Sequence, residues 1–212
     1  MANSKLPTIE CSTNGPYIVK GLQALSNSKG AELPVKEAMS LCRCGGSSNK
    51  PFCDGTHKKN GFSDEKLSNR TQDRRDNYVG KRITIHDNRG ICAHAGACTD
   101  GLPKVWRSKR EPWIDPDAAE AQAVIDTIKQ CPSGALSYTV DDIEHRDQAR
   151  EPAVLVSKNG PYRVTGAVEL KGTPWGQGAS REHYTLCRCG GSKNKPFCDG
   201  THWYIKFKDN KN

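Results

Sequence analysis

The chain has 212 residues, of which 34% are hydrophobic and 7% aromatic, and its formal net charge is +8. This composition does not favour one large hydrophobic core, and small domains with thin cores usually depend on disulfides or metal sites. The N-terminal residues contain no apolar run, and the aliphatic run Ala153–Val156 is far shorter than the roughly 20 residues of a membrane span. We therefore expect no secretory signal, no membrane anchor and a cytoplasmic location. There, the ten cysteines are better explained as metal ligands than as disulfides.

The first segment of the chain combines a turn, a short strand and a cysteine motif. Residues 14–21 contain Asn-Gly-Pro followed by Tyr-Ile-Val, which predicts a turn and then a strand. In an extended segment, residues two apart point to the same side, so Cys42 and Cys44 are expected to bind one metal ion together. Residues four apart share one face of a helix, so Cys53 and His57 are expected to share a second ion if a helix begins at Cys53.

Other residues of this motif have predicted supporting roles. Asp54 is expected to cap the helix, and Pro51 is expected to stiffen the loop. Gly45, Gly46 and Ser47 are expected to let backbone and hydroxyl donors approach the metal site. Three Cys and one His also suit a structural zinc ion, which is the alternative, although zinc sites more often use paired C-x2-4-C spacing.

The middle of the chain has its own pattern and is predicted to form a separate domain. Polar stretches at residues 68–77 and 141–151 indicate linkers on either side. The predicted elements are a strand at 82–86, two extended segments around a basic turn at 105–114, a helix that begins at Asp115, and a strand at 137–140. Apolar residues fall on one face of that helix at Ala121, Val124, Ile125 and Ile128. This order is compatible with a βαββαβ unit.

Three cysteines of the middle segment form a third candidate site. Cys92 and Cys98 lie in a Cys-x-His-x-Gly-x-Cys loop, and Cys131 precedes a proline. This pattern favours a thiolate-held cluster, and the alternative is three unrelated buried cysteines. His94 is a candidate fourth ligand, a hydrogen-bond donor beside the cluster or a solvated loop residue, and these alternatives stay open.

The first segment recurs near the end of the chain. Residues 159–166 repeat the turn and strand, and residues 187–202 repeat residues 42–57 with a single difference, Lys193 in place of Ser48. The second candidate ligand set is therefore Cys187, Cys189, Cys198 and His202. The sequence predicts an α+β chain of three domains, at residues 1–70, 74–142 and 152–212.

Both outer motifs match C-x-C-x2-[S/T]-x3-P-x-C-D-G-[S/T]-H and resemble the CDGSH, or NEET, iron–sulfur family. The resemblance covers residues 14–62 and 159–207. It implies that each module binds one [2Fe-2S] cluster through its three cysteines and its histidine. Members of this family often form two-fold dimers with one cluster in each chain. The tandem copies are therefore expected to pair as an intramolecular pseudo-dimer of β-rich modules.

The middle segment, from about Arg82 to Val140, resembles divergent single-cluster bacterial ferredoxins. The resemblance implies a ferredoxin-like βαββαβ fold and one cluster held by Cys92, Cys98 and Cys131. Ala95 stands where those ferredoxins place a central cysteine, so the choice between [3Fe-4S] and [4Fe-4S] stays open.

One-electron transfer is the function that these features favour, and no nucleophile–base pairing indicates an enzyme. The alternative is storage or delivery of clusters or iron, because a histidine ligand can be displaced by protonation. Expected partners are redox proteins with acidic docking surfaces, or apo iron–sulfur acceptors. No motif for nucleic-acid binding is visible, so no such partner is expected.

The remaining cysteine, histidines and basic turn carry weaker expectations. Cys11 matches no motif and is expected to be a spare thiol in a mobile terminus. Three histidines lack partners at ligand spacing and are expected to be ordinary polar residues: His86, His145 and His183. Four basic residues crowd the turn of the middle domain, where a solvated tip is favoured over a docking patch: Lys104, Arg107, Lys109 and Arg110.

Overall fold

A computed structural model describes residues 6–212, so the first five residues of the predicted first module lie outside the described residues. This part of the chain is α+β and β-rich. Its strands are β1 (Thr8–Cys11), β2 (Tyr17–Lys20), β3 (Ala24–Asn27), β4 (Ala38–Leu41), β5 (Arg75–Val79), β6 (Thr84–Asn88), β7 (Leu136–Val140), β8 (Ile143–His145), β9 (Ala153–Val156), β10 (Tyr162–Thr165), β11 (Glu169–Lys171) and β12 (Tyr184–Leu186). Its α-helices are α1 (Ala97–Gly101), α2 (Ala121–Ile128) and α3 (Thr201–Tyr204), and its 3-10 helices are Thr56–Lys58, Arg89–Ile91 and Pro116–Ala118.

Two of the three sheets combine strands from both repeats. The first has the order β11-β1-β2-β4, with β11 parallel to β1 and Ile9 opposite Leu170. The second has the order β12-β10-β9-β3, with β3 parallel to β9 and Leu25 opposite Val154. Each repeat therefore contributes one strand to the sheet of the other.

The two mixed sheets enclose one hydrophobic core. Buried side chains of both repeats belong to it, because alternate residues of each strand face inward. At its centre the rings of Tyr17 and Tyr162 meet edge to face at 6.0 Å. The Tyr17 hydroxyl donates to the carbonyl oxygen of Cys187 at 2.9 Å, and the Tyr162 hydroxyl donates to that of Cys42 at 2.8 Å. Each phenol thus fixes the backbone at the first cysteine of the other repeat.

The middle domain has the third sheet, which is antiparallel with the order β5-β6-β7-β8. Its core lies between this sheet and the helices and includes Ile85 of β6, Val124 and Ile128 of α2, and Trp106. Trp106 is fully buried, so the segment between the two helices also belongs to the core. A small second core of this kind positions the loop that carries Cys92 and Cys98.

Several middle-domain elements differ from those that the sequence predicts. Both α-helices lie between β6 and β7, so the order of strands and α-helices is ββααββ and not the predicted βαββαβ. The predicted linker 68–77 includes the first three residues of β5 and the predicted linker 141–151 contains β8, so neither is a free linker. Both strands lie at edges of the sheet, where polar side chains are normal, and Arg75 pairs with Glu144 at 2.7 Å. The predicted extended segments around the basic turn form a single β-bridge between Trp106 and Ile114.

The helix predicted from Asp115 is divided into two. The Asp115 side chain accepts a hydrogen bond from the Asp117 N–H and begins the 3-10 helix Pro116–Ala118. Ala119 is extended, and α2 begins two residues later, at Ala121.

The prediction for Cys11 is wrong. Cys11 lies in β1, opposite Tyr17 in the register of the sheet, and its half-buried side chain packs against the shared core. Burial raises the pKa of its thiol. Cys11 therefore behaves as a small hydrophobic residue of a strand rather than as part of a mobile terminus.

Candidate metal centres

The first cysteine motif arranges its four candidate ligands as two pairs. Cys42 follows β4, and its Sγ lies 3.9 Å from Sγ of Cys44. Cys53 Sγ lies 3.4 Å from Nδ1 of His57. The structure thus brings together the partners that the spacing predicts. The helix, however, begins at Thr56 rather than at Cys53, so His57 reaches its partner from a single 3-10 turn.

Backbone groups of the loop support these ligands. The Gly46 N–H points to Cys44 Sγ and the Gly55 N–H points to Cys53 Sγ, each at 3.4 Å. Donors of this kind stabilise a thiolate, which is the form of cysteine that binds iron.

Asp54 connects the loop to the short helix, but the N-cap residue of that helix is Gly55 and not Asp54 as predicted. Its carboxylate accepts from the Thr56 hydroxyl at 2.7 Å, from the Ser48 N–H at 2.8 Å and from the Thr56 N–H at 3.1 Å. These hydrogen bonds, led by that of the Thr56 hydroxyl, hold the pKa of Asp54 well below its usual range.

The expectation that Ser47 donates toward the metal site is wrong. Its hydroxyl donates to the carbonyl oxygen of Phe52 at 2.7 Å and accepts from the Asn49 N–H at 3.0 Å. Ser47 therefore closes the loop that carries Cys53. Ser192 does the same in the second repeat, with Phe197 at 2.7 Å.

The second cysteine motif has the same local geometry. Cys187 and Cys189 have their sulfur atoms 3.8 Å apart, and Cys198 Sγ lies 3.4 Å from Nδ1 of His202. The Gly191 N–H points to Cys189 Sγ at 3.4 Å. Nearly identical sequences thus produce two nearly identical ligand arrangements.

The two motifs touch through their backbones. Cys44 and Cys189 form an isolated antiparallel bridge. A Cβ added at Gly45 would lie 2.5 Å from the carbonyl oxygen of Cys189, and one added at Gly190 would lie 2.6 Å from that of Cys44. Both glycines also have positive φ, at 75° and 79°. Glycine is therefore required at both positions for the two motifs to meet.

The three middle cysteines line one cavity of about 840 Å³. Burial raises the pKa of the Cys92 thiol to about 12 and that of the Cys98 thiol to about 11. Cys131 is itself buried, and its Sγ lies 3.6 Å from the Ser133 hydroxyl. A metal that binds Cys92 and Cys98 must displace their thiol protons.

His94 occupies the loop between Cys92 and Cys98 with a positive φ of 51°. Its N–H points to Cys92 Sγ at 3.4 Å, and its exposed ring has Nδ1 3.4 Å from Nη2 of Arg89. Sequence reasoning left three roles open for His94. The structure adds a contact that it missed, because the His94 side chain packs against Gly200 of the second repeat.

Asp87 and Arg89 are further residues of this cavity that the sequence did not single out. Asp87 is 2% exposed, and its Oδ2 has no hydrogen-bond partner among residues 6–212. Burial raises its pKa to about 6. Arg89 has Nη1 3.8 Å from Cys92 Sγ and stacks on Trp113. Their position just before Cys92 is the only sequence signal that could have identified them.

The three remaining histidines have partners within their domains. His86 makes hydrogen bonds to Asn77 and Thr139, and His183 to Ser180 and Glu182. His145 stacks on Tyr138 at 4.8 Å.

The basic turn is not uniform. Arg107 pairs with Asp115 at 3.0 Å and donates to the Pro112 carbonyl at 2.7 Å, so it holds the turn together. Lys104, Lys109 and Arg110 are exposed.

Within residues 6–212, no three His, Cys, Asp or Glu side chains are grouped closely enough to hold a single metal ion. No helix there is both long and apolar enough to cross a membrane.

Comparisons with known proteins match three segments of the chain. Residues 14–58 and 159–203 match the family described as iron-binding zinc finger CDGSH type, and residues 78–141 match the divergent 4Fe-4S mono-cluster family. The uncharacterized protein YjdI of Escherichia coli K12, and that of Escherichia coli O157:H7, is 44% identical over 61 residues, which cover 29% of this chain and 80% of YjdI. No solved structure matches. The chain therefore belongs to the iron–sulfur proteins. It has a divergent 4Fe-4S mono-cluster domain in the middle and one CDGSH-type iron-binding domain on each side of it.

Proposed function

We propose that this protein is a one-electron carrier with three iron–sulfur clusters. The outer CDGSH domains would each hold a [2Fe-2S] cluster through Cys42, Cys44, Cys53 and His57, and through Cys187, Cys189, Cys198 and His202. The paired arrangement of these ligands carries the proposal. A two-iron cluster needs two protein ligands at each iron, and each motif offers one thiol pair and one thiol–imidazole pair.

The middle domain would hold a [3Fe-4S] or [4Fe-4S] cluster through Cys92, Cys98 and Cys131. Their common cavity supports this assignment. The absence of a thiol at Ala95 favours three irons, because the fourth corner lacks a cysteine. His94 remains the candidate for that corner if a fourth iron is held.

We further propose that the two CDGSH domains form an intramolecular pseudo-dimer, and that the chain works with redox proteins in the cytoplasm. Reciprocal features support the pseudo-dimer. The exchanged strands β3 and β11 have equivalent parallel pairings, and Tyr17 and Tyr162 make equivalent hydrogen bonds. Such an arrangement keeps two clusters at a fixed separation, which rapid electron exchange between them requires.

Delivery of clusters to apo-proteins is the second candidate function. The half-buried position of His57 favours it, because a proton from solvent can compete with the metal for an accessible imidazole.

The proposed function is tested by composition and by transfer. Protein purified without oxygen should contain four irons in the CDGSH domains and three or four in the middle domain, with matching acid-labile sulfide and a [2Fe-2S] paramagnetic resonance signal after reduction. A colourless, zinc-loaded protein without labile sulfide would contradict the proposal. Mixing with an apo-ferredoxin separates the two candidate functions. Retained colour with reversible reduction supports a carrier, and transfer of colour within minutes supports delivery.

A further inference from the structure

The two CDGSH domains differ in what covers the histidine of each motif. A Cβ added at Gly200 would lie 2.9 Å from Cβ of His94, whereas one added at the equivalent Gly55 would meet nothing within 4 Å. The histidine edge, meaning the short helix that begins with Thr-His after this glycine, is thus covered by the middle domain in the second repeat. His202 is accordingly only 5% exposed, while His57 is half-buried.

Hydrogen bonds hold the middle domain in this place. Trp203 donates from Nε1 to the carbonyl oxygen of His94 at 3.2 Å. Asn194 donates from Nδ2 to the carbonyl oxygen of Gly90 at 2.8 Å, and its side chain is buried. The equivalent residue of the first repeat, Asn49, is exposed. The contact is therefore specific to the second CDGSH domain.

The covered edge also brings two candidate cluster sites close together. His94, which lies in the loop between Cys92 and Cys98, packs against Gly200, which lies between Cys198 and His202. Cys44 and Cys189 connect the two CDGSH motifs in turn. The contacts thus define a linear order of sites, from the middle domain to the second CDGSH domain and then to the first.

The histidine edge of the first CDGSH domain is open to solvent, and its charge differs from that of the covered histidine edge in the second domain. His57 is followed by Lys58 and Lys59, whereas His202 is followed by Trp203 and Tyr204. Both lysines are exposed, and neither belongs to an ion pair found within residues 6–212. The nearest acidic group in sequence is Asp54, whose carboxylate is already bound by Thr56 and Ser48.

We propose that the edge formed by His57, Lys58 and Lys59 is the docking surface for an acidic protein partner, and that the second CDGSH domain is the internal link to the middle domain. This inference rests on the proposed electron-carrier function and identifies the surface at which electrons pass between this protein and its partner. One electron crosses the surface for each electron that the partner gains or loses, so the partner must carry a one-electron cofactor. Opposite charge on the partner accelerates the encounter, and its effect weakens as salt increases.

An anionic dysprosium chelate, Dy-EDTA, tests this assignment on the reduced cluster-loaded protein. The measured quantity is the increase in the spin-relaxation rate of the [2Fe-2S] paramagnetic resonance signal when the chelate is added. The Cys198→Ser variant removes a ligand of the second cluster, and Cys53→Ser removes the equivalent ligand of the first. We expect the relaxation enhancement of the [2Fe-2S] signal to be several-fold larger in Cys198→Ser, because the chelate approaches only the open edge. Equal enhancement in the two variants, or larger enhancement in Cys53→Ser, would overturn the inference.

Charge reversal tests the surface without removing a ligand. Lys58→Glu with Lys59→Glu should reduce the enhancement in the otherwise unchanged protein at low salt, and should abolish its salt dependence. Lys104→Glu with Lys109→Glu makes the same change of charge on the middle domain and should leave the enhancement unchanged. The opposite result would place the anion-attracting surface at the basic turn and overturn the inference. Absence of any [2Fe-2S] signal in the wild type would instead overturn the proposed function itself.

Discussion

Replacing Gly45 by alanine tests the contact between the two CDGSH motifs. The new Cβ would lie 2.5 Å from the carbonyl oxygen and 2.8 Å from the carbonyl carbon of Cys189. These are backbone atoms held by the bridge between Cys44 and Cys189, so the overlap cannot be relieved by a side-chain rotation. Relief would require the two motifs to separate.

Gly30→Ala is the matched control for this substitution. Gly30 has a φ of 79°, close to the 75° of Gly45, but a Cβ there meets nothing within 4 Å. Alanine at positive φ costs about 1–2 kcal/mol at either position. Overlap with a packed backbone should add about 1–3 kcal/mol at Gly45 alone.

Bleaching of the clusters provides the assay, because an unfolding chain loses its ligand geometry. The visible absorbance is followed in a fixed concentration of guanidinium chloride without oxygen. If the motifs separate before the transition state for unfolding, the added cost at Gly45 lowers the barrier to unfolding. Because 1.4 kcal/mol corresponds to a factor of ten in rate, Gly45→Ala should bleach at least about fivefold faster than Gly30→Ala. Gly190→Ala should behave like Gly45→Ala. Equal rates for Gly45→Ala and Gly30→Ala would refute the contact between the motifs.

Three further predictions concern individual side chains. His57→Cys should lower the reduction potential of the first cluster and slow its bleaching in acid, because a thiolate adds negative charge and binds iron more tightly than imidazole does; the potential measured by redox titration, with His202→Cys for comparison, checks this. Ala95→Cys should convert a [3Fe-4S] cluster into a stable [4Fe-4S] cluster, and unchanged iron content and resonance signal would contradict the assignment of Ala95 to the vacant corner. Burial raises the pKa of Glu182, but hydrogen bonds from Arg150 and other donors outweigh it and hold the pKa at about 2, below the usual 4.5. The stabilisation of the folded state by the ionised Glu182 carboxylate is therefore complete above about pH 4.5 and is lost as the pH falls toward 2. The difference in unfolding midpoint between wild type and Glu182→Gln should shrink over that interval.

The ligand motifs could be predicted from the sequence because their geometry is local. Cys42 and Cys44 are paired by the extended backbone between them, and Cys53 and His57 by a single turn. The repeat then predicted the same arrangement at the second motif. Ser47 is the exception, because its hydroxyl donates to the carbonyl oxygen of Phe52, five residues later. The sequence does not reveal that this carbonyl competes with the metal site for the hydroxyl.

Long-range pairing could not be predicted in the same way. The parallel pairing of β1 with β11, and of β3 with β9, depends on a register between segments more than a hundred residues apart. The first part of β5 and the whole of β8 fall in the predicted linkers because these residues are polar. Their polar side chains pair with one another across the sheet, as in the ion pair of Arg75 with Glu144. A pairing between residues this far apart in the chain cannot be predicted from a local sequence pattern. Tertiary hydrogen bonds therefore decide the structure of these segments.

The insertion of the middle domain between two repeats with nearly identical cysteine motifs explains why these motifs have different surroundings. Both repeats share the core, so the local geometry of their motifs is equal. The middle domain, however, packs on the histidine edge of only one of them. Residues that follow the two histidines differ accordingly, since Trp203 donates to the middle domain whereas Lys58 faces solvent. Two identical ligand sets thus acquire different surroundings, and under the proposed function this difference would let one cluster serve an internal step and the other meet a partner.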